Sequence, residues 1–241
     1  MSFIEELAGY HCDWSLSTNG PSAEGITDFF NPTFKDRTHG HTPRQTPLPA
    51  RRLRQHPVLA PGCRAPGPAQ QVHISWPGFG DTPPVPGITG MEDLATRVLA
   101  EVDQPAALVA QSMGGIVAVL AALERPELIT HLVLTVTSGG VDMSDLDAQD
   151  WRPDFAAANP MLPRWFLDDR TDLTLRLAEL RMPVLLLWGD ADPISPVRVG
   201  QRLAELLPRA ELHVFPGADH SLGFTHAVEV AGLIERHLAG G

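Results

Sequence analysis

The stretch Leu-Val-Ala-Gln-Ser-Met-Gly-Gly-Ile-Val-Ala-Val-Leu-Ala-Ala, residues Leu108–Ala122, sets one serine between an apolar run of strand character and a helix of small and apolar residues. A chain that leaves a buried strand and enters a helix with no loop between them must turn sharply. The corner residue, Ser112, is then held in a strained conformation with its hydroxyl pushed outward. Such a turn needs space, and the residues two before and two after the serine are Ala110 and Gly114, followed by Gly115. This is the pattern of a nucleophile elbow, with alanine at the first small position. Ser112 is therefore a candidate nucleophile.

Outward from that corner, strand-like and helix-like segments alternate from residue 72 onward, which predicts a parallel sheet covered by helices. Strands are expected over Val72–Trp76, Ala107–Ala110, Leu132–Val136, Pro183–Leu187 and Glu211–Phe215. Met91, Leu94, Ala95, Val98, Leu99 and Val102 share one helical face, Val197–Leu207 reads as a second helix, and Ala227, Val230, Ala231, Ile234 and Leu238 form the stripe of a closing one. About 45 residues separate Val136 from Pro183, far more than a usual connection, so 138–182 reads as a lid or cap inserted between 72–137 and 183–241. The cap holds Trp151, Phe155, Met161, Trp165 and Phe166, then a helix-like spacing of Leu173, Leu177 and Leu180. Its aromatics suit both a small core and a pocket wall.

Composition bounds the function. The 241 residues are 43% hydrophobic, enough for one large core, and the formal charge of −11 excludes a phosphate-binding surface of clustered lysine and arginine, hence a nucleic-acid partner. Two cysteines, Cys12 and Cys63, provide neither a disulfide framework nor metal-ligand spacing. The N-terminus has no basic stretch leading into an apolar core, and no apolar run reaches membrane-spanning length, so the expectation is a cytoplasmic protein with no membrane partner. One lysine, Lys35, against 17 arginines is the bias of a GC-rich bacterial genome. Residues 1–71 stand apart as an atypical, partly irregular segment. Seven basic and six acidic side chains fall there, against a strongly acidic remainder, and its second half is rich in proline.

A serine hydroxyl needs a base to take its proton and a carboxylate to fix that base's tautomer. After the strand ending at Leu187 comes Trp-Gly-Asp-Ala-Asp-Pro-Ile-Ser-Pro, and after the strand ending at Phe215 comes Pro-Gly-Ala-Asp-His. Both runs fall at C-terminal strand ends, as Ser112 does, where open parallel sheets bind their ligands. Asp192 and His220 are the partners in register. Asp190 is the alternative acid, His213 and His226 are alternative bases, Asp192 also suits a helix cap, and Asp219 reads as a solvated loop carboxylate.

With these residues in place the chain resembles the α/β-hydrolase superfamily. Ser112, Asp192 and His220 match its Ser, Asp, His order. Gly189, Asp192 and Pro196 match its Gly-x-x-Asp-x-x-x-Pro acid segment, and Gly217 with His220 its Gly-x-x-His segment. Pro77-Gly78-Phe79-Gly80 resembles its Asp-x-Pro-Gly-x-Gly turn, with Ser75 in place of the aspartate. The resemblance covers residues 72–241. It implies an α/β-hydrolase fold with a mostly parallel sheet flanked by helices. It also implies a serine hydrolase acting on small, mainly apolar carboxylic esters or related acyl compounds through an acyl-enzyme at Ser112, with no metal or organic cofactor. Carbon–carbon hydrolase, lactonase, thioesterase and acyltransferase chemistry stay open.

The resemblance makes the backbone N–H of Met113 one oxyanion donor. The second belongs on a small-residue loop after an earlier strand, and the nearest candidates are Gly62 and Cys63. Only the short run Cys63–Gln71 separates that loop from the strand at Val72, too little for a packed helix. Loss of one donor costs about 3 to 4 kcal/mol of transition-state stabilisation. The alternative reading is therefore an inactive or weakly active relative that binds a small ligand. Phe79, Trp151, Phe155, Trp165, Phe166 and Phe224 are the expected pocket residues.

Overall fold

A computed structural model describes residues 14–17, 71–79 and 82–240. Its six-stranded sheet is built from β1 (Trp14–Ser17), β2 (Gln71–Ile74), β3 (Ala106–Gln111), β4 (Ile129–Thr135), β5 (Val184–Gly189) and β6 (Ala210–Phe215), in the order β2-β1-β3-β4-β5-β6. β3 to β6 run parallel, with Leu108 opposite Leu132, Leu132 opposite Val184 and Val184 opposite Ala210. Composition had not pointed to β1. It pairs antiparallel with both β2 and β3, so those two strands point the same way and their C-terminal ends share one edge of the sheet.

The helices are α1 (Met91–Ala100), α2 (Met113–Glu124), α3 (Arg152–Ala158), α4 (Arg164–Asp168), α5 (Val197–Leu206), α6 (Leu222–Thr225) and α7 (Ala227–Ala239). α1 begins where Thr89 donates its backbone N–H and its hydroxyl to Asp93 Oδ2, at 2.7 and 2.9 Å, satisfying the chain entry into the first turn. Strand alternation then assigns the faces. Leu108, Ala110, Leu132, Leu134, Val184, Leu186 and Trp188 point to one side, beneath α1, α2 and α5; Val109, Val133, Leu185 and Leu187 point to the other, beneath Val230, Ala231 and Ile234 of α7. Both faces are dry. That is why these strands read as continuous apolar runs rather than as alternating ones.

Three local expectations are corrected. Val136 is no strand residue: β4 stops at Thr135 and Val136 turns with φ +40°. Trp76 likewise lies beyond β2. The Leu173, Leu177, Leu180 spacing does not make a helix beyond a single 3₁₀ turn, Leu177–Glu179. The N–H of Leu173 goes to Gly140 O at 2.6 Å and that of Thr174 to Asp172 Oδ1 at 2.9 Å, so the backbone is committed to turns, yet all three leucines remain buried. The region between β4 and β5 joins the main core through Val141, Leu146, Phe166, Leu173 and Leu177. Among the described residues no helix is long and apolar enough to cross a membrane.

Candidate active site

Four strand ends meet at one edge of the sheet. Ser112 directly follows β3 with φ +52° and ψ −127°, a conformation that L-residues rarely adopt, and Met113 opens α2. The corner is held on both sides: Ser112 N–H donates to Thr135 O at 3.0 Å, and Gly115 N–H to Ser112 O at 3.0 Å. Gly115 is required there. A Cβ on it would lie 2.3 Å from Thr137 Oγ1 and 2.5 Å from Thr137 Cγ2. As the first residue of α2, Met113 has no partner for its N–H inside the helix, and the positive end of the helix dipole lies at the serine.

The loops after β5 and β6 are drawn together by two backbone hydrogen bonds and one to a side-chain carboxylate. Asp190 N–H donates to Phe215 O at 3.2 Å, Ala191 N–H to Ala218 O at 2.9 Å, and Gly217 N–H to Asp190 Oδ1 at 2.6 Å. Gly189 permits this approach, since a Cβ there would sit 2.1 Å from Ala218 O. The result sets Asp192 Oδ2 2.8 Å from His220 Nδ1, and His220 Nε2 3.0 Å from Ser112 Oγ. The side chain of Asp192 is fully buried and that of His220 nearly so. Its other oxygen, Oδ1, accepts the N–H groups of Ile194 at 2.8 Å and Ser195 at 3.1 Å. A carboxylate can only accept, so Nδ1 carries the imidazole proton and Nε2 is left to accept the hydroxyl of Ser112.

The other candidates have different partners. The carboxylate of Asp190 holds Gly217, and Asp192 does not cap α5, whose cap position is Pro196. Asp219 accepts the N–H of Ser221 at 2.8 Å. His213, within β6, pairs with Glu211 at 2.8 Å, while His226 lies between α6 and α7 rather than within the last helix and pairs with Thr225 Oγ1 at 2.8 Å. The proposed second oxyanion donors, Gly62 and Cys63, lie outside the described residues. Gln111, which the sequence did not single out, donates its amide to His220 O at 3.4 Å.

Five of the six expected pocket aromatics interlock. The ring of Phe166 packs 5.0 Å from Phe79, 5.2 Å from Trp151, 6.1 Å from Phe155 and 6.2 Å from Trp165. Phe224 lies elsewhere, on α6, 46% exposed. A cavity of about 480 Å³ lies between α2 and the region joining β4 to β5; Ile116, Val141, Met143 and Trp151 line it beside Asp142, Arg152 and Asp169, and Ser112, Asp192 and His220 are not among its lining residues.

The profile of the Alpha/beta hydrolase family matches residues 38–233. The chain belongs to that family. The match begins inside the segment that composition had set apart. Among curated relatives, a pimeloyl-[acyl-carrier protein] methyl ester esterase of Neisseria meningitidis is 26% identical over 228 residues, covering 76% of this chain and 87% of that protein. A 2-hydroxy-6-oxononadienedioate/2-hydroxy-6-oxononatrienedioate hydrolase of Burkholderia vietnamiensis is 27% identical over 206 residues, covering 64% and 71%. Among solved structures, a thermophilic esterase from Thermogutta terrifontis superposes with a TM-score of 0.57 at 21% identity, covering 72% of this chain and 80% of that one. A meta-cleavage product hydrolase from Pseudomonas fluorescens gives a TM-score of 0.59 at 18% identity, with 72% and 80% coverage. At such identities the structures speak for the α/β-hydrolase fold, and the chain is a hydrolase of that type.

Proposed function

We propose that this hydrolase cleaves small, mainly apolar carboxylic esters through an acyl-enzyme on Ser112, with His220 as general base and acid and Asp192 as the group that orients it. The observation that carries the reading is the unbroken chain of hydrogen bonds from Ser112 Oγ to His220 to Asp192, at 3.0 and 2.8 Å. Ser112 Oγ attacks the ester carbonyl carbon while its proton passes to His220 Nε2. The tetrahedral oxyanion is received by the N–H of Met113, collapse breaks the bond to the alkoxy group, and the alcohol leaves with the proton from His220. Water then gives a proton to His220 as it attacks the acyl carbon; collapse breaks the acyl bond to Ser112 Oγ, which takes that proton back from His220, and the acid is released.

The preference for an apolar acyl or alcohol group rests on the apolar and aromatic side chains of the β4–β5 region, of which Val141, Met143 and Trp151 face the cavity beside α2. Carbon–carbon bond hydrolysis is the second reading, favoured by the Burkholderia relative. Incubation with a fluorophosphonate probe tests both, since each needs a reactive serine: labelling of Ser112 in folded protein and its loss in Ser112→Ala are expected. Absence of labelling refutes the nucleophile assignment. Hydrolysis of p-nitrophenyl acetate alongside a vinylogous 1,5-diketone then separates ester from carbon–carbon cleavage.

A further inference from the structure

Resting on the acyl-transfer reading above, we infer that Ser195 is a positioning residue: its hydroxyl joins the acid loop to the turn after β4 and fixes where Asp192 stands relative to the nucleophile elbow.

Ser195 is 1% exposed, and both the donor and the acceptor capacity of its side chain are used. Trp188 Nε1 lies 3.2 Å from its Oγ, and Thr137 O lies 3.1 Å from the same atom. An indole N–H can only donate and a carbonyl can only accept, so the directions are forced: Ser195 receives the Trp188 proton and gives its own to Thr137. Its backbone N–H meanwhile donates to Asp192 Oδ1. One residue thus touches the carboxylate with its main chain and the neighbouring strand end with its side chain.

The far end of that bond is set by Thr137. Its side chain fills the space beside Gly115, in the first turn of α2, and its Oγ1 accepts the N–H of Gly139 at 3.0 Å. Thr137 reaches this place because Val136, fully buried and β-branched, turns with φ +40° while its N–H stays on Leu187 O at 3.0 Å. The contacts close a ring. From Ser112 one path runs through His220 to Asp192; the other runs through the first turn of α2, Thr137 and Ser195 to the same carboxylate. The first path carries the proton, and the second fixes the span that the first has to bridge.

The test is a double-mutant cycle with p-nitrophenyl acetate and the fluorophosphonate labelling rate as readouts, measured with excess enzyme. Ser195→Ala is expected to lower kcat by about tenfold or more while KM moves by less than about twofold, since misplacement remote from the substrate spoils geometry rather than binding. In an Asp192→Asn background the same change is expected to cost almost nothing, because the path through which it acts is already cut. A role confined to stability would leave the rate of the folded fraction unchanged in both backgrounds. If Ser195→Ala fails to fold, as judged by near-ultraviolet circular dichroism, Ser195→Cys keeps the volume, weakens the donor and is read in the same cycle. A folded variant with kcat within about twofold of wild type, or an equal loss in the Asp192→Asn background, overturns the inference. Wild-type protein that is not labelled at Ser112 overturns the parent reading instead, so the two failures are distinct.

Discussion

Replacing Asp192 by asparagine isolates the role of one oxygen without changing the shape of the site. Oδ1 accepts N–H groups from Ile194 and Ser195, and Oδ2 faces His220 Nδ1 at 2.8 Å. In Asp192→Asn the amide that keeps both backbone bonds must turn its NH₂ toward His220. It then donates to Nδ1, the imidazole proton moves to Nε2, and Nε2 can no longer accept the proton of Ser112. The flipped amide restores the productive tautomer but aims its NH₂ at two N–H groups in a fully buried position. Leaving each of those groups unpaired costs about 1–3 kcal/mol, so the flip costs roughly 2–6 kcal/mol. At about 1.4 kcal/mol per factor of ten, the productive orientation is populated at about 4 × 10⁻² to 5 × 10⁻⁵. Hydrolysis of p-nitrophenyl acetate is therefore expected to fall by about 25-fold to about 10⁴-fold, with the thermal unfolding curve close to that of wild type. A loss below about threefold in folded protein would refute the claim that Asp192 sets the imidazole tautomer.

Other consequences can be checked by unfolding. Gly115→Ala drives a Cβ into Thr137, which is buried and cannot withdraw, so a loss of about 1–3 kcal/mol is expected in urea unfolding. Gly232→Ala on α7 is the control: its Cβ would meet only the far end of Arg236, at 3.5 Å, and a gain of about 0.5–1 kcal/mol from helix propensity is expected. Phe166→Ala removes the ring on which four other aromatics pack and is expected to cost about 3–5 kcal/mol, seen as a lower urea midpoint. His131 and His237 stack edge to face at 5.2 Å; burial holds both below their ordinary pKa of 6.5, helped by Arg209 beside His131 and by His131 beside His237, while hydrogen bonds with the Leu132 and Pro183 backbone and then Glu211 oppose the shift at His237. Both are therefore neutral in the fold at a pH where the unfolded chain takes up protons. Their contribution is intact above pH 6.5 and is lost as pH falls from there through their folded values. The urea midpoint of wild type is expected to drop as pH falls below about 6.5, and His237→Gln to flatten that drop; equal slopes would refute the assignment.

The parts of the fold that the sequence discloses are those where one physical demand dominates. β3 as far as Ala110 and all of β5 are buried on both faces and carry only apolar residues and glycine there, and α1 is anchored by acidic residues at its start and a stripe of Met91, Leu94, Ala95 and Val98. Ser112, Asp192 and His220 are legible for a related reason. Each stands after the C-terminal end of a parallel strand, β3 and β5 buried and β6 partly exposed, where small residues crowd the turn: Gly114 and Gly115 at one, Gly189 at another and Gly217 at the third. What escapes the sequence is set by partners distant along the chain. β1 is four residues whose place depends on β2 and β3. The leucines between β4 and β5 repeat at helical spacing, but the N–H of Leu173 is claimed by Gly140, a contact no local pattern encodes. The aromatics there are consumed largely by one another.

Val136 is the clearest case of a residue whose local preference is overruled. Its β-branched side chain and its apolar neighbours argue for strand, and its φ of +40° costs about 1–3 kcal/mol relative to a relaxed residue. The turn persists because its N–H completes the ladder to Leu187 and its side chain is fully buried against the α7 face of the sheet, burial that stabilises the fold by a comparable amount. Ser112 stands in the same relation to β3, with φ +52° and its N–H on Thr135. Two strained corners therefore sit side by side at the ends of adjacent parallel strands, one presenting a hydroxyl and the other turning Thr137 toward Gly115 and Ser195. A glycine at either corner would relieve the strain, but at Ser112 it would remove the proposed nucleophile and at Val136 the side chain that anchors the turn. The core, not the site, supplies the stability that keeps both corners bent, and the spacing of Ser112, His220 and Asp192 is accordingly a property of the whole sheet edge rather than of the three residues that would share the proton.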